Sequence, residues 1–160
     1  MLYDMLTVYP IMKGVLRMLK GISPVLSPEL LKILMEMGHG DELVIGDGNF
    51  PGASHARNLV RLDGHGVPEV LEAILQLYPL DAYVEAPVAL MQVVPGDDVQ
   101  TPIWDTYQRL CDQYEGKPVK MEQIERFAFY ERARKAYCIV MTGETAIYAN
   151  IILKKGVVKA

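Results

Sequence analysis

The chain has 160 residues, of which 51% are hydrophobic and 22% charged, with a net charge of −4. That is enough apolar material for one packed core and too much for a disordered chain. The acidic balance argues against a nucleic-acid binder, which needs a basic stripe, and no apolar run reaches the roughly 18 residues that span a membrane.

In chain order, residues 1–17, "MLYDMLTVYPIMKGVLR", are apolar but broken by Asp4, Pro10, Lys13 and Arg17. They lack the features of a signal peptide, so a cytoplasmic protein is expected. "LSPELLKILMEMGHG" reads as a helix with Ser27 as N-cap, Pro28 in the first turn and Gly38 as its stop. "ELVIGD" is a short buried strand, "GNFPGASH" a loop, and "NLVRLDG" a second strand. A helix over "VPEVLEAILQLYPL" leads to a third strand, "PVALMQVV". "IWDTYQRLCDQY" is helical between loop signals, and "EQIERFAFYERARKA" is helical in composition and charge pairing. "YCIVMTG" is a strand, "GETA" a turn and "YANIILKKG" the last strand. Helices alternating with strands give an α/β class, a single compact domain with a central sheet flanked by helices.

Candidate chemistry is sparse. Cys111 and Cys138 match no zinc spacing and no disulfide framework, which suits free thiols in a reduced compartment, and Cys138 lies in an apolar strand as core. Of three histidines, His65 in "DGHG" reads as surface and His55 in "GASHAR" is ambiguous. His39 differs in its setting. It stands between two glycines, after a helix and before a buried strand, where the backbone turns sharply and a small molecule fits beside the ring.

Asp47 follows the same strand, where α/β proteins form binding crevices. "GDGN" also permits a turn aspartate bonded to its own backbone, and on composition alone this plainer reading leads. A metal site at Asp41 and Asp47 lacks a third ligand and ligand spacing, so no metal is expected. Arg126 precedes the aromatics Phe127 and Phe129, whereas Arg132 and Arg134 read as solvated. Tyr148 and Asn150, two apart in a strand, fall on one face and could hydrogen-bond a sugar or simply open the strand.

"MGHGDELVIGDGNFP", "RFAFYERARKAYCIVMTGE" and "YANIILKKGV", in that order, resemble the fucose mutarotase and ribose pyranase family over residues 18–158. The arginine–aromatic stretch and "ILKKGV" look more like the fucose branch, whereas "YAN" in place of "YGN" leans towards the ribose branch. The resemblance implies an isomerase that needs no cofactor and opens and recloses a sugar ring, with L-fucose ahead of D-ribose. It implies His39 as the acid–base group, and Asp47, Arg126, Tyr148, Ala149 and Asn150 as substrate-binding. Ala149 is expected to contribute backbone alone. It further implies a ring-forming homo-oligomer, a decamer of stacked pentamers with sites at subunit boundaries. A non-catalytic sugar-binding ring protein is the reading from another class. Because family members begin near "MLKGIS", residues 1–17 are expected to be an extension outside the domain of residues 18–160, from an upstream start codon or an expression remnant, the alternative being a real extension that packs on the oligomer.

Overall fold

The computed structural model describes residues 18–159. The N-terminal extension of residues 1–17 therefore lies outside the described residues. Eleven elements run in the order α1 (Pro28–Glu36), β1 (Glu42–Gly46), α2 (Gly52–His55), β2 (Leu59–Leu62), α3 (Val67–Leu75), β3 (Val88–Met91), α4 (Ile103–Glu115), β4 (Met121–Ile124), α5 (Arg126–Lys135), β5 (Cys138–Thr142) and β6 (Ile151–Lys154).

The six strands form one sheet in the order β2-β5-β1-β6-β3-β4. Strands β2, β5 and β1 pair in parallel, and so do β3 and β4. β6 runs antiparallel to both its neighbours, β1 and β3. Five strands thus point one way and β6, inside the sheet, points the other.

Strand side chains alternate between faces, so β5, β1, β6 and β3 each feed two cores, whereas β2 gives Val60 and Leu62 to one and exposes its other face. Leu43, Ile45, Val88, Leu90, Val140, Ile151 and Leu153 join α1, α3 and α4 on one side. Val44, Ala89, Met91, Ile139, Met141 and Ile152 join Phe129, Ala133 and Phe50 on the other. Helices on both faces explain why β1, β3 and β5 read as continuous apolar runs.

Several expectations need correction. α1 is capped by Ser27, whose hydroxyl accepts from Leu30 N–H at 3.2 Å, as expected. It stops at Glu36, with Met37 extended, so Gly38 is not its terminator. The left-handed turn is made at Gly40, with φ of 86°. The segment read as loop before β2 contains the short helix α2. "EQIERFAFYERARKA" is not one helix: Met121–Ile124 is an edge strand, and α5 starts at Arg126. The polar "MEQI" has no apolar alternation to announce a strand; pairing with β3 makes it one. Nor is Arg132 solvated. It holds both carboxylate oxygens of Glu42, at 2.7 and 3.0 Å, and reaches Glu122 at 2.6 Å, tying α5 to β1 and β4.

Candidate active site

The parallel strands deliver several side chains to one edge of the sheet. β1 ends at Gly46, and Asp47 follows it. β4 ends at Ile124, and Arg126 opens α5 on the same edge. β6, being antiparallel, begins there, so Tyr148, Ala149 and Asn150 arrive at this edge as well. These five residues, far apart in the chain, are brought to one region.

Asp47 is 3% exposed, and its carboxylate accepts the backbone N–H of Asn49 at 3.0 Å and of Ala149 at 3.4 Å. Asn150 Oδ1 accepts Asp47 N–H at 2.8 Å, and its amide nitrogen has only a weak contact, 3.9 Å, with Met91 Sδ. Carboxylate lone pairs and amide hydrogens beyond those used remain for hydroxyl groups. Burial is the main force raising the Asp47 carboxyl above its ordinary value; the Glu144 charge adds to this, and the backbone donors oppose it.

The Tyr148–Asn150 stretch corrects the strand reading. Tyr148 lies in the left-handed region, with φ of 58°, and β6 starts only at Ile151. Tyr148 and Asn150 therefore do not share a strand face. α4 imposes this shape. Trp104 Nε1 donates to the Tyr148 carbonyl at 2.8 Å, and the buried Tyr107 hydroxyl donates to the Ala149 carbonyl at 2.8 Å. Ala149 is fully buried, and both its backbone polar groups are engaged within the chain. The sequence gives no sign of these two bonds, although Trp104 and Tyr107, three apart in a helix, do share one face.

The Tyr148 hydroxyl donates to Asp97, and this bond, with burial second, raises the phenol above its usual value. Arg126 lies close enough to oppose that shift through its charge. Its guanidinium stacks on Phe127, 4.6 Å from the ring centroid. Arg126 Nε is buried and finds no hydrogen-bond partner among the described residues. An orphaned buried donor beside an open depression lined by Gln92, Val93, Val94, Pro95 and Phe127 marks a place for an acceptor.

His39 is not there. It precedes β1, whereas Asp47 follows it, and five strand residues span about 17 Å. At that opposite edge, His39 Nε2 lies 3.0 Å from Asp81 Oδ1, with the Tyr83 ring 5.4 Å away. Three segments are knit together around the pair: Gly40 N–H donates to Lys155 O, Lys155 N–H to Asp41 O, and Asp81 N–H to Lys154 O. Asp81, 42 residues from His39 and unremarkable in "PLDAY", could not be found from sequence.

The other candidates have plainer roles. His65 pairs with Glu69 at 2.8 Å, and His55 packs against Phe50 and Tyr130. Burial pushes both thiols up to about 12, which makes Cys111 and Cys138 core residues rather than nucleophiles. Among the described residues no cluster of three or more His, Cys, Asp or Glu could hold a metal ion, and no helix is long and apolar enough to cross a membrane.

The model of the RbsD / FucU transport protein family matches residues 20–158. The chain belongs to that family. An L-fucose mutarotase of Actinobacillus pleuropneumoniae is 54% identical over 140 residues, covering 88% of this chain and 97% of the relative. The crystal structure of a fucose mutarotase from Streptococcus pneumoniae in complex with L-fucose superposes with a TM-score of 0.84 at 52% identity, covering 88% of this chain and all of that one. Bacillus subtilis RbsD, solved with D-ribose, shares the fold, with a TM-score of 0.68 at 21% identity, covering 84% of this chain and 95% of that one.

Proposed function

We propose that this protein is a sugar mutarotase that interconverts the α and β anomers of L-fucose by opening and reclosing the ring. The carrying observation is the convergence of Asp47, Arg126, Tyr148 and Asn150 on one sheet edge, in a chain 52% identical to a fucose mutarotase bound to L-fucose. Asp47 and Asn150 keep free acceptor and donor capacity for hydroxyls. Arg126 offers its orphaned Nε–H. Phe127, 61% exposed, presents an apolar face to C–H groups or a methyl.

His39 is the general acid. It protonates the ring oxygen as the C1–O5 bond breaks, while the anomeric hydroxyl gives up its proton and becomes the aldehyde. The open chain rotates about C1–C2 and recloses with the roles reversed. Positioned acid–base groups supply about 10²- to 10⁴-fold, and imidazole is suited to the task near neutral pH. Tyr148, backed by Asp97, is the second proton-transfer group: as its proton moves to Asp97, its oxygen takes one from the sugar.

His39 and Asp47 lie at opposite ends of β1, so one copy does not hold a whole site. The His39 of one subunit completes the Asp47 edge of another, in a cytoplasmic homo-oligomer, a decamer of stacked pentamers. Ribose pyranase activity is the second reading, suggested by "YAN". The Ala149 methyl that separates "YAN" from "YGN" is fully buried and offers no surface by which to choose a sugar, and the 52% identity to the fucose-bound mutarotase favours fucose.

The test is saturation transfer between anomer NMR signals, with L-fucose and D-ribose compared. Wild-type protein should accelerate fucose exchange. His39→Ala should return it to the uncatalysed rate with the fold kept, and Asp47→Ala should weaken sugar binding. Wild-type exchange in His39→Ala would overturn the assignment, and sugar binding with no acceleration by the wild type would mark a non-catalytic binding protein.

A further inference from the structure

The surroundings of His39 fix more than its position. Asp81 is buried, and its Oδ1 accepts both the Tyr83 backbone N–H, at 3.0 Å, and His39 Nε2, at 3.0 Å. Burial acts to raise this carboxyl, but the Tyr83 N–H, His39 and the charge of Lys154 outweigh it and hold it below its ordinary value. Asp81 is therefore a carboxylate and only an acceptor. A ring nitrogen facing an acceptor must carry a proton, so Nε2 is the N–H of neutral His39 and Nδ1 is the bare nitrogen. The side chain is 46% exposed, which leaves the rest of the ring open to a reacting partner.

We propose that Asp81 is a positioning residue that locks His39 in the Nε2–H form, so that Nδ1 is the atom that exchanges protons with the sugar. The inference rests on His39 being the acid of the mutarotation proposed above. In the doubly protonated ring Asp81 retains the Nε2 proton, and the Nδ1 proton is the one that leaves for the ring oxygen. On reclosure Nδ1 takes it back. Asp81 remains a carboxylate throughout and keeps its hydrogen bond from Nε2–H in both directions. The brace is held by backbone: Asp81 N–H donates to Lys154 O at 3.0 Å, and Gly156 N–H to Pro79 O at 2.8 Å.

Two measurements test this. Long-range ¹H–¹⁵N spectra of histidine-labelled wild-type protein read the ring directly and need no variant. With the ring neutral they should show Nε2 protonated and Nδ1 bare; the opposite tautomer overturns the proposal. Fucose exchange kinetics of Asp81→Ala should show kcat reduced by at least about tenfold with KM little changed. Asp81→Asn, which can still accept through Oδ1, should recover part of the loss. A merely structural role would move kcat and KM together and lower Tm, and wild-type kcat in Asp81→Ala also overturns the proposal. If wild-type protein accelerates exchange of neither fucose nor ribose, the mutarotase reading fails, while the tautomer measurement still decides what Asp81 does.

Discussion

Asp47 illustrates a conflict between folding and binding within one side chain. It is nearly buried, and burial raises its carboxyl above the ordinary value of 3.8. Between 3.8 and the raised value, the native state keeps a proton that the unfolded chain has already released. Stability from this group therefore falls as pH rises through that window. Asp47→Asn removes the titration, so the Tm difference between variant and wild type should shift in favour of the variant as pH rises through the same window, while fucose binding weakens. Thermal unfolding across that range checks it; a difference that stays flat or moves the other way refutes the burial argument. His39 was legible in the sequence as a ring on a hinge, because glycines and a following strand are local signals. Its partner was not, because Asp81 reaches it from another segment. Arg126 stands out in the sequence by the aromatics beside it, and the family resemblance implies its role; its orphaned Nε emerges from packing.

At the scale of elements, the strand runs were readable wherever side chains are buried on both faces, as in β1, β3 and β5. They failed where pairing overrides composition. "MEQI" becomes a strand because β3 offers an open edge, and Tyr148 leaves the strand path because α4 captures two carbonyls. The last strand ends in a comparable constraint. A Cβ on Gly156 would stand 2.4 Å from the Leu80 carbonyl oxygen, inside the segment that carries Asp81. Gly156→Ala should therefore destabilise the fold by about 1–3 kcal/mol, as overpacking does. It should also slow fucose exchange by displacing Asp81 from His39. Gly64→Ala, where an added Cβ meets nothing within 4 Å, is the control and should stay within about 0.5 kcal/mol of wild type. Chemical denaturation of both variants decides the point; equal effects would show that the contact at Leu80 relaxes freely.

For the whole molecule, the separation of His39 from Asp47 turns oligomerisation into a question about chemistry. If each site takes His39 from one copy and Asp47 from another, two inactive variants can rescue one another. Unfolding and refolding His39→Ala together with Asp47→Ala, in equal amounts, should restore about a quarter of wild-type exchange, since each two-copy site needs one particular combination. The same variants assembled separately and then combined without subunit exchange should stay inactive. Activity absent from the co-assembled sample would mean that both residues serve the site within one copy. Sequence could state the order of the motifs but not this division, because strand direction is a property of the sheet.

The reversed strand β6 has a consequence of its own. Its four residues lead from Asn150, beside Asp47, to Lys155, beside the turn that carries His39, so on the proposed reading the two half-sites are fixed to the ends of one short rod. Each subunit then has a valence of two, one end giving and one receiving. In a head-to-tail row of such units the count of complete sites is one fewer than the count of subunits, and only closure into a circle removes the deficit. Catalysis would then belong to the contact rather than to the chain.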